Sequence, residues 1–218
     1  MDEVILIDKP KGWTSFDVVA KVRSSLRKET GQKVKVGHAG TLDPLATGLL
    51  VVLIGKATKK QDGFMKKDKI YEVELKLGET STTADEEGEK SSISSKKPSQ
   101  DEIQAVLASF IGEIEQIPPV FSAIKVNGQR AYKLARAGKA VKLEPRKVTI
   151  YAISDVSYSY PVLMFATKVS SGTYIRSLVT DIGDQLKTGA YMTNLRRTQI
   201  GEFSISDAKN IEQILENT

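Results

Sequence analysis

Apolar and polar positions alternate in several registers along this chain, and each register predicts a different element. Val4 to Ile7 reads as a short strand, which Pro10 and Gly12 end. Thr14 followed by Asp17 resembles a capping box. Phe16, Val19, Val22 and Leu26 then recur at the spacing of one helix face. Leu49 to Ile54 is an unbroken apolar run, the length of a strand buried on both faces. Ile70 to Leu77 alternates as a half-exposed strand does.

Between these lie segments of another kind. Gly37 to Gly48 is rich in Gly and Thr and reads as a loop. Gly78 to Gln100 is rich in Ser, Thr and Glu and poor in apolar residues, which predicts a long mobile loop. Asp101 to Phe110 has helical spacing, and Ile117-Pro118-Pro119 is a stop. Tyr132 to Ala137 reads as a short helix. Val148 to Val156 and Val162 to Val169 read as strands joined by a turn near Pro161. Ile175 to Leu186 has helical spacing with Gly183 as a weak point, Tyr191 to Ile200 is a further strand, and Ile211 to Leu215 a last short helix. Interspersed strands and helices, with many strands placed as hairpin neighbours, favour α+β with a large, mostly antiparallel sheet. No repeat or linker divides the chain, so residues 1–218 read as one domain.

Composition narrows the chemistry. There is no cysteine and a single histidine, His38. Thiol nucleophiles, cysteine zinc sites, three-histidine metal sites and disulfides are excluded. Enzymatic work would rest on carboxylates, hydroxyls, Tyr, Lys and Arg. Lys plus Arg number 32 against 27 Asp plus Glu, a net charge of +5 that suits an anionic partner without proving one. Basic residues gather at Lys56 to Lys69, Lys125 to Lys147 and Lys187 to Arg197. The acidic start Met1-Asp2-Glu3 lacks the pattern of a secretory signal, and no apolar run reaches bilayer length, so a cytoplasmic location is expected.

The segment Gly37-His38-Ala39-Gly40-Thr41-Leu42-Asp43-Pro44-Leu45-Ala46-Thr47-Gly48 carries the most chemical information. Pro44 biases Asp43 towards extended backbone, and the Leu49 to Ile54 strand anchors the exit. A carboxylate on a loop fixed by a rigid strand is a plausible catalytic arrangement. An Asp before Pro in a Gly-rich loop is nonetheless more often a turn residue. A phosphate-binding loop is excluded: Gly55-Lys56 is followed by Ala57 where Ser or Thr is needed, and Leu50 stands where the first glycine belongs. A dinucleotide-binding glycine fingerprint is also absent.

This segment resembles the catalytic motif of the TruB-type pseudouridine synthases, which modify uridine 55 of tRNA. Further matches follow in family order. They are Lys9-Pro10-Lys11-Gly12-Trp13-Thr14-Ser15, Lys69-Ile70-Tyr71, Pro118 to Lys125 with Gly128 to Tyr132, Ser171 to Leu178, and Leu195-Arg196-Arg197-Thr198. The resemblance implies a pseudouridine synthase fold with a central RNA-binding cleft, and a catalytic domain over 1–218 that lacks the C-terminal PUA module relatives usually carry. That lack bears on affinity for the tRNA acceptor side and leaves the chemistry intact. It also implies isomerisation of a T-loop uridine by base flipping, by a monomer acting on the tRNA T arm without cofactor or metal.

Residue roles follow from the same resemblance. Asp43 is the nucleophile, by attack on ribose C1′ or by promoting a glycal. Arg176 pairs with Asp43. Tyr71 stacks on the flipped uracil, with a hydroxyl suited to assist proton removal from C5. His38 touches the RNA near the vacated stack, with general base as the lesser alternative. Tyr174 and Leu195 line the uracil pocket, unless they are plain core residues. Lys9 and Pro10 support the loop beneath the site, and the basic clusters contact phosphates. Where the family tends to show Thr-Asp-Thr, this chain has Ser81-Thr82-Thr83; the missing carboxylate at Thr82 is expected to alter a loop contact without abolishing activity. A guide-RNA-dependent subunit and a non-catalytic tRNA-binding or folding module are the competing readings.

Overall fold

The computed structural model describes residues 2–122, 124–126, 128–138 and 141–212. In chain order the elements begin with β1 (Glu3–Lys9), α1 (Ser15–Thr30), β2 (Val36–Ala39) and β3 (Thr47–Ile54). A 3-10 turn (Gly55–Lys60), α2 (Gln61–Met65), β4 (Lys69–Leu77), β5 (Glu79–Ser81) and β6 (Lys90–Ser92) follow. Then come α3 (Gln100–Ser109), β7 (Gly112–Gln116), β8 (Lys125–Val126), β9 (Gln129–Arg130) and α4 (Ala131–Arg136). The chain ends with β10 (Arg146–Ser159), β11 (Val162–Val169), α5 (Ile175–Leu186), β12 (Ala190–Ile200), β13 (Phe203–Ser204) and β14 (Lys209–Asn210). The fold is α+β, with a large mixed sheet and few helices. Two compact units divide the chain: Met1–Glu72 with Leu195–Thr218, and Val73–Asn194.

In the first unit β3 lies between β1, which is antiparallel to it, and the end of β12, which is parallel (Arg196 opposite Thr47). Every side chain from Leu49 to Ile54 is at most 1% exposed. The reason is two-sided packing. Val18, Val19 and Val22 of α1 pack with Leu50, Val52 and Ile54 on one face, while Ala39, Ala57 and Ile200 pack with Leu49, Val51 and Leu53 on the other. A strand covered on both faces reads as a continuous apolar run, and each such side chain contributes about 2 kcal/mol of burial. The capping box at Thr14 is present in full, with Asp17 as its reciprocal partner, and Gly31 ends α1 in the left-handed conformation at φ 68°.

Two expectations change here. Phe16, placed on the inner face by spacing, is 64% exposed; the buried face is Val18, Val19 and Val22. Gly37 to Ala39 belongs to a strand rather than a loop, because its backbone pairs with Val51 to Leu53 of β3. The irregular segment is therefore only 40–46. Gly48 adopts φ +100°, and a Cβ there would lie 2.3 Å from the Arg197 carbonyl oxygen. Only glycine permits β3 and β12 to approach so closely.

In the second unit β10 pairs with β11 on one side and β7 on the other, both antiparallel. Val73, Leu75 and Leu77 of β4 alternate inward, as the pattern predicts. Helix α5 buries Leu178, Val179, Ile182 and Leu186. It runs through Gly183 without interruption, and a Cβ there would sit 2.3 Å from the Ala190 nitrogen. That glycine is a close-approach point and not a break. The 78–100 segment is structured in part: β5 and β6 form a hairpin, and Ala84 accepts from Met192 N–H at 3.1 Å. Polar composition hid this, because the segment is held by backbone pairing rather than by an apolar stripe. Strand β7 also went unread, since Glu113 and Glu115 occupy its outward positions. Ile211 and Glu212 are helical, and the rest of the last predicted helix lies outside the described residues.

Candidate active site

The first unit holds Lys9, Pro10, His38, Asp43, Tyr71 and Leu195. Asp43 is half-buried on the 40–46 loop, and the chain is pinned on both sides of it. On the N-terminal side the Ser15 hydroxyl accepts from Leu42 N–H at 2.8 Å and donates to Leu42 C=O at 3.0 Å. On the C-terminal side Gly12 N–H donates to Pro44 C=O at 2.8 Å. Ala46 N–H closes a turn onto Asp43 C=O at 3.1 Å. Residues of the 9–15 segment thus fix the peptides flanking Asp43, which holds the backbone on either side of the carboxylate.

Lys9 is fully buried. Its ammonium donates to Trp13 C=O at 2.6 Å, Pro10 C=O at 2.9 Å and Pro44 C=O at 3.4 Å. Burial pulls its pKa down to about 8, the Asp43 carboxylate opposes that shift, and Arg197 adds to it. Arg197 is 1% exposed and donates from Nε to Leu49 C=O at 2.8 Å and from Nη2 to Gly40 C=O at 2.9 Å. Lys69 is also buried and donates to Met65 C=O at 2.6 Å and to Lys67 C=O. Burial, then Arg197, lowers its pKa to about 8. His38 pairs in register with Val52, and its Nδ1 is buried without a partner among the described residues. Burial and then the Arg197 charge hold the imidazole below its ordinary pKa, which favours the neutral ring.

Two buried cations, Lys9 and Arg197, therefore bond to carbonyls of the loop that carries Asp43. This corrects one expectation. Lys69 and Arg197 belong to the basic clusters read as phosphate contacts, yet both are buried and bonded to carbonyls, so neither side chain reaches a phosphate. Arg196 instead pairs with Asp8 at 2.7 Å. Tyr71 is 8% exposed on β4 and Leu195 is 7% exposed on β12.

The second unit holds Tyr174 and Arg176. Arg176 sits in the first turn of α5 and is 7% exposed. Its guanidinium donates to Phe121 C=O at 2.8 Å and Thr83 C=O at 3.3 Å, and lies 3.5 Å from the Asp85 carboxylate. Asp85 is itself buried and accepts from the Thr83 hydroxyl at 2.5 Å and from Glu87 N–H at 3.1 Å. Tyr174 is the half-buried N-cap of α5.

Known proteins resemble this chain in sequence and fold. The model of the TruB family pseudouridylate synthase (N terminal domain) matches residues 27–175, and that of the tRNA pseudouridylate synthase B C-terminal domain matches 176–218. The chain belongs to the TruB family. Among curated TruB relatives, tRNA pseudouridine synthase B of Clostridium kluyveri is 46% identical over 214 residues, covering 98% of this chain and 72% of that protein. The protein of the same name in Pseudomonas fluorescens is 47% identical over 211 residues, 97% of this chain and 68% of that one. That of Parabacteroides distasonis is 45% identical and is covered over 91% of its length. The chain also superposes on a solved Cbf5-Nop10-Gar1 complex with a TM-score of 0.76 at 31% identity. A solved H/ACA RNP bound to a substrate RNA containing 2'-deoxyuridine gives 0.71 at 28%. Coverage of this chain is 98% in both, but it spans only 53% and 52% of those chains.

The TruB motif residues named from sequence omit Asp85 and leave Ser15 and Arg197 without individual roles. Asp85 had a faint signal: Thr83 and Asp85 at spacing two precede Gly88, the grammar of a side-chain-bonded turn. The missing carboxylate at Thr82 thus leaves a carboxylate three residues on, and it is this one that meets Arg176. Arg197 was hidden among basic neighbours, since sequence does not distinguish a solvated arginine from one turned inward.

Proposed function

We propose that the protein isomerises uridine 55 in the T loop of tRNA to pseudouridine, as a single cytoplasmic chain, with Asp43 as the nucleophile. Membership of the TruB family and the name shared by its curated relatives support the reaction. The observation that carries the assignment of Asp43 is the pinning of Leu42 and Pro44 on either side of it by Ser15, Gly12 and Lys9.

In this reading the T arm docks on exposed basic residues, and the uridine leaves the stack, because its C1′ and C5 are inaccessible within a folded loop. Asp43 attacks C1′, or promotes a glycal, as the N1–C1′ bond breaks. The uracil turns, C5 bonds to C1′ as the Asp43–C1′ bond breaks (or, on the glycal route, as C2′ regains its proton), and the C5 proton moves to N1. Atoms balance without oxidant, metal or energy source. Tyr71 supplies an aromatic face for the base, Tyr174 and Leu195 shape its pocket, and His38, held neutral by burial, faces the RNA. Arg176 is the catalytic arginine of this reading, its guanidinium always charged.

The test is incubation with an unmodified T-arm hairpin alone, followed by pseudouridine mapping, beside Asp43→Asn. Product from the wild type without guide RNA or partner, with turnover lost and binding kept in the variant, is expected. Full turnover in the variant removes Asp43 from its role. Product appearing only with added guide RNA favours the guided reading, and binding without product in any condition favours the non-catalytic one.

A further inference from the structure

Strand β7 carries a polar residue where its alternation calls for an apolar one. Glu113 and Glu115 face outward, Ile114 is half-buried, and Gln116 is 2% exposed. Its backbone is fixed in the sheet opposite Arg146 of β10. A buried carboxamide needs partners for both ends, and this one uses a single residue for both. Oε1 accepts from Tyr174 N–H at 2.8 Å, and Nε2 donates to Tyr174 C=O at 3.1 Å. The side chain thus grips the Tyr174 peptide groups as a neighbouring strand would.

Tyr174 is the residue from which α5 starts, and it has no side-chain cap bond. Its N–H precedes the helix and its C=O accepts the first helical bond, from Leu178 N–H at 3.1 Å. Two more bonds tie the same turn to the segment after Gln116: Ser177 Oγ donates to Ile117 C=O at 2.7 Å, and Arg176 Nη2 to Phe121 C=O at 2.8 Å. Of the three, only the Gln116 clamp acts on the residue that sets where the helix begins.

We propose that Gln116 is a positioning residue for the isomerisation: its carboxamide fixes the start of α5 and so the placement of Tyr174 and Arg176. The assignment rests on the reading of these two residues given under Proposed function. It requires that loosening the clamp shift the guanidinium while leaving RNA docking alone. Misplacement of a positioned group by about 1 Å costs on the order of 100-fold in rate.

Gln116→Leu removes both bonds at similar volume, and Gln116→Glu keeps the acceptor for Tyr174 N–H while removing the donor. Kinetics on the T-arm hairpin, thermal melting and hydrogen exchange of the 171–178 peptide are measured together. The expected result is a kcat lower by about 10- to 100-fold in Gln116→Leu and by less in Gln116→Glu. KM should stay within about threefold, and exchange of 171–178 should be at least about tenfold faster. Should Gln116→Leu fail to fold, Gln116→Glu decides. Unchanged kcat in a folded variant, or a lower melting temperature with unchanged kcat, overturns the proposal. If the wild type itself yields no pseudouridine, the functional reading fails, and exchange, which needs no substrate, still decides: unchanged exchange overturns the clamp and faster exchange supports it.

Discussion

The Asp43 loop and the start of α5 are each organised by buried cations, but in different ways. Around Asp43, the cations Lys9 and Arg197 donate to backbone carbonyls, as does Lys69, whose charge feels Arg197. At α5, Arg176 also meets a buried carboxylate, Asp85, at 3.5 Å. Carbonyls satisfy hydrogen bonds without neutralising charge, and burial, with a smaller push from Arg197, pulls Lys9 and Lys69 down to about 8. The Asp85 carboxylate offsets charge within the fold, so removing it takes one carboxylate partner from a buried cation. One region holds its buried cations on carbonyls, the other sets a buried cation beside a carboxylate.

The largest effect tests the first region directly. Asp43→Asn should lower turnover by about 1000-fold or more, as loss of a nucleophile does, with hairpin affinity changed by less than about tenfold; single-turnover assays and filter binding measure both. Next, Asp85→Asn should destabilise the protein by about 3 kcal/mol, because one partner of a buried pair is lost. Urea unfolding reads this, and a change below about 0.5 kcal/mol would show that the pair does not hold Arg176.

The lysines sharpen the contrast through pH. For a base whose folded pKa is depressed from 10.5 to about 8, the unfolded chain binds more protons between those values. Stability from Lys69 should therefore rise as pH climbs from about 8 to 10.5, by up to about 3 kcal/mol, and be flat below that window. Lys69→Met should remove about half of the combined rise and leave the part that Lys9 contributes in the same window, seen as urea midpoints of variant and wild type compared across it. The smallest effect belongs to the surface. Lys147 and Glu113 lie 2.8 Å apart but are 68% and 61% exposed, so Glu113→Gln should change stability by less than about 0.5 kcal/mol in the same unfolding assay.

The residues of this chain determined much by themselves. The apolar run Leu49 to Ile54 announced a strand buried on both faces, and Thr14 with Asp17 announced the start of α1, because both signals are local. The Gly37 to Gly48 segment carried the family resemblance, since residue types in a fixed order survive without coordinates. Other features depended on partners far away in sequence. Phe16 turned outward because Val18, Val19 and Val22 cover the sheet. Arg197 turned inward to Gly40, 157 positions away. Asp85 became a buried partner of Arg176, and Gln116 a clamp on Tyr174, 58 positions away. Whether a polar side chain is solvated or buried is settled by where its bonding partners come to rest. Folding brings those partners together, and no spacing rule along the chain encodes the meeting.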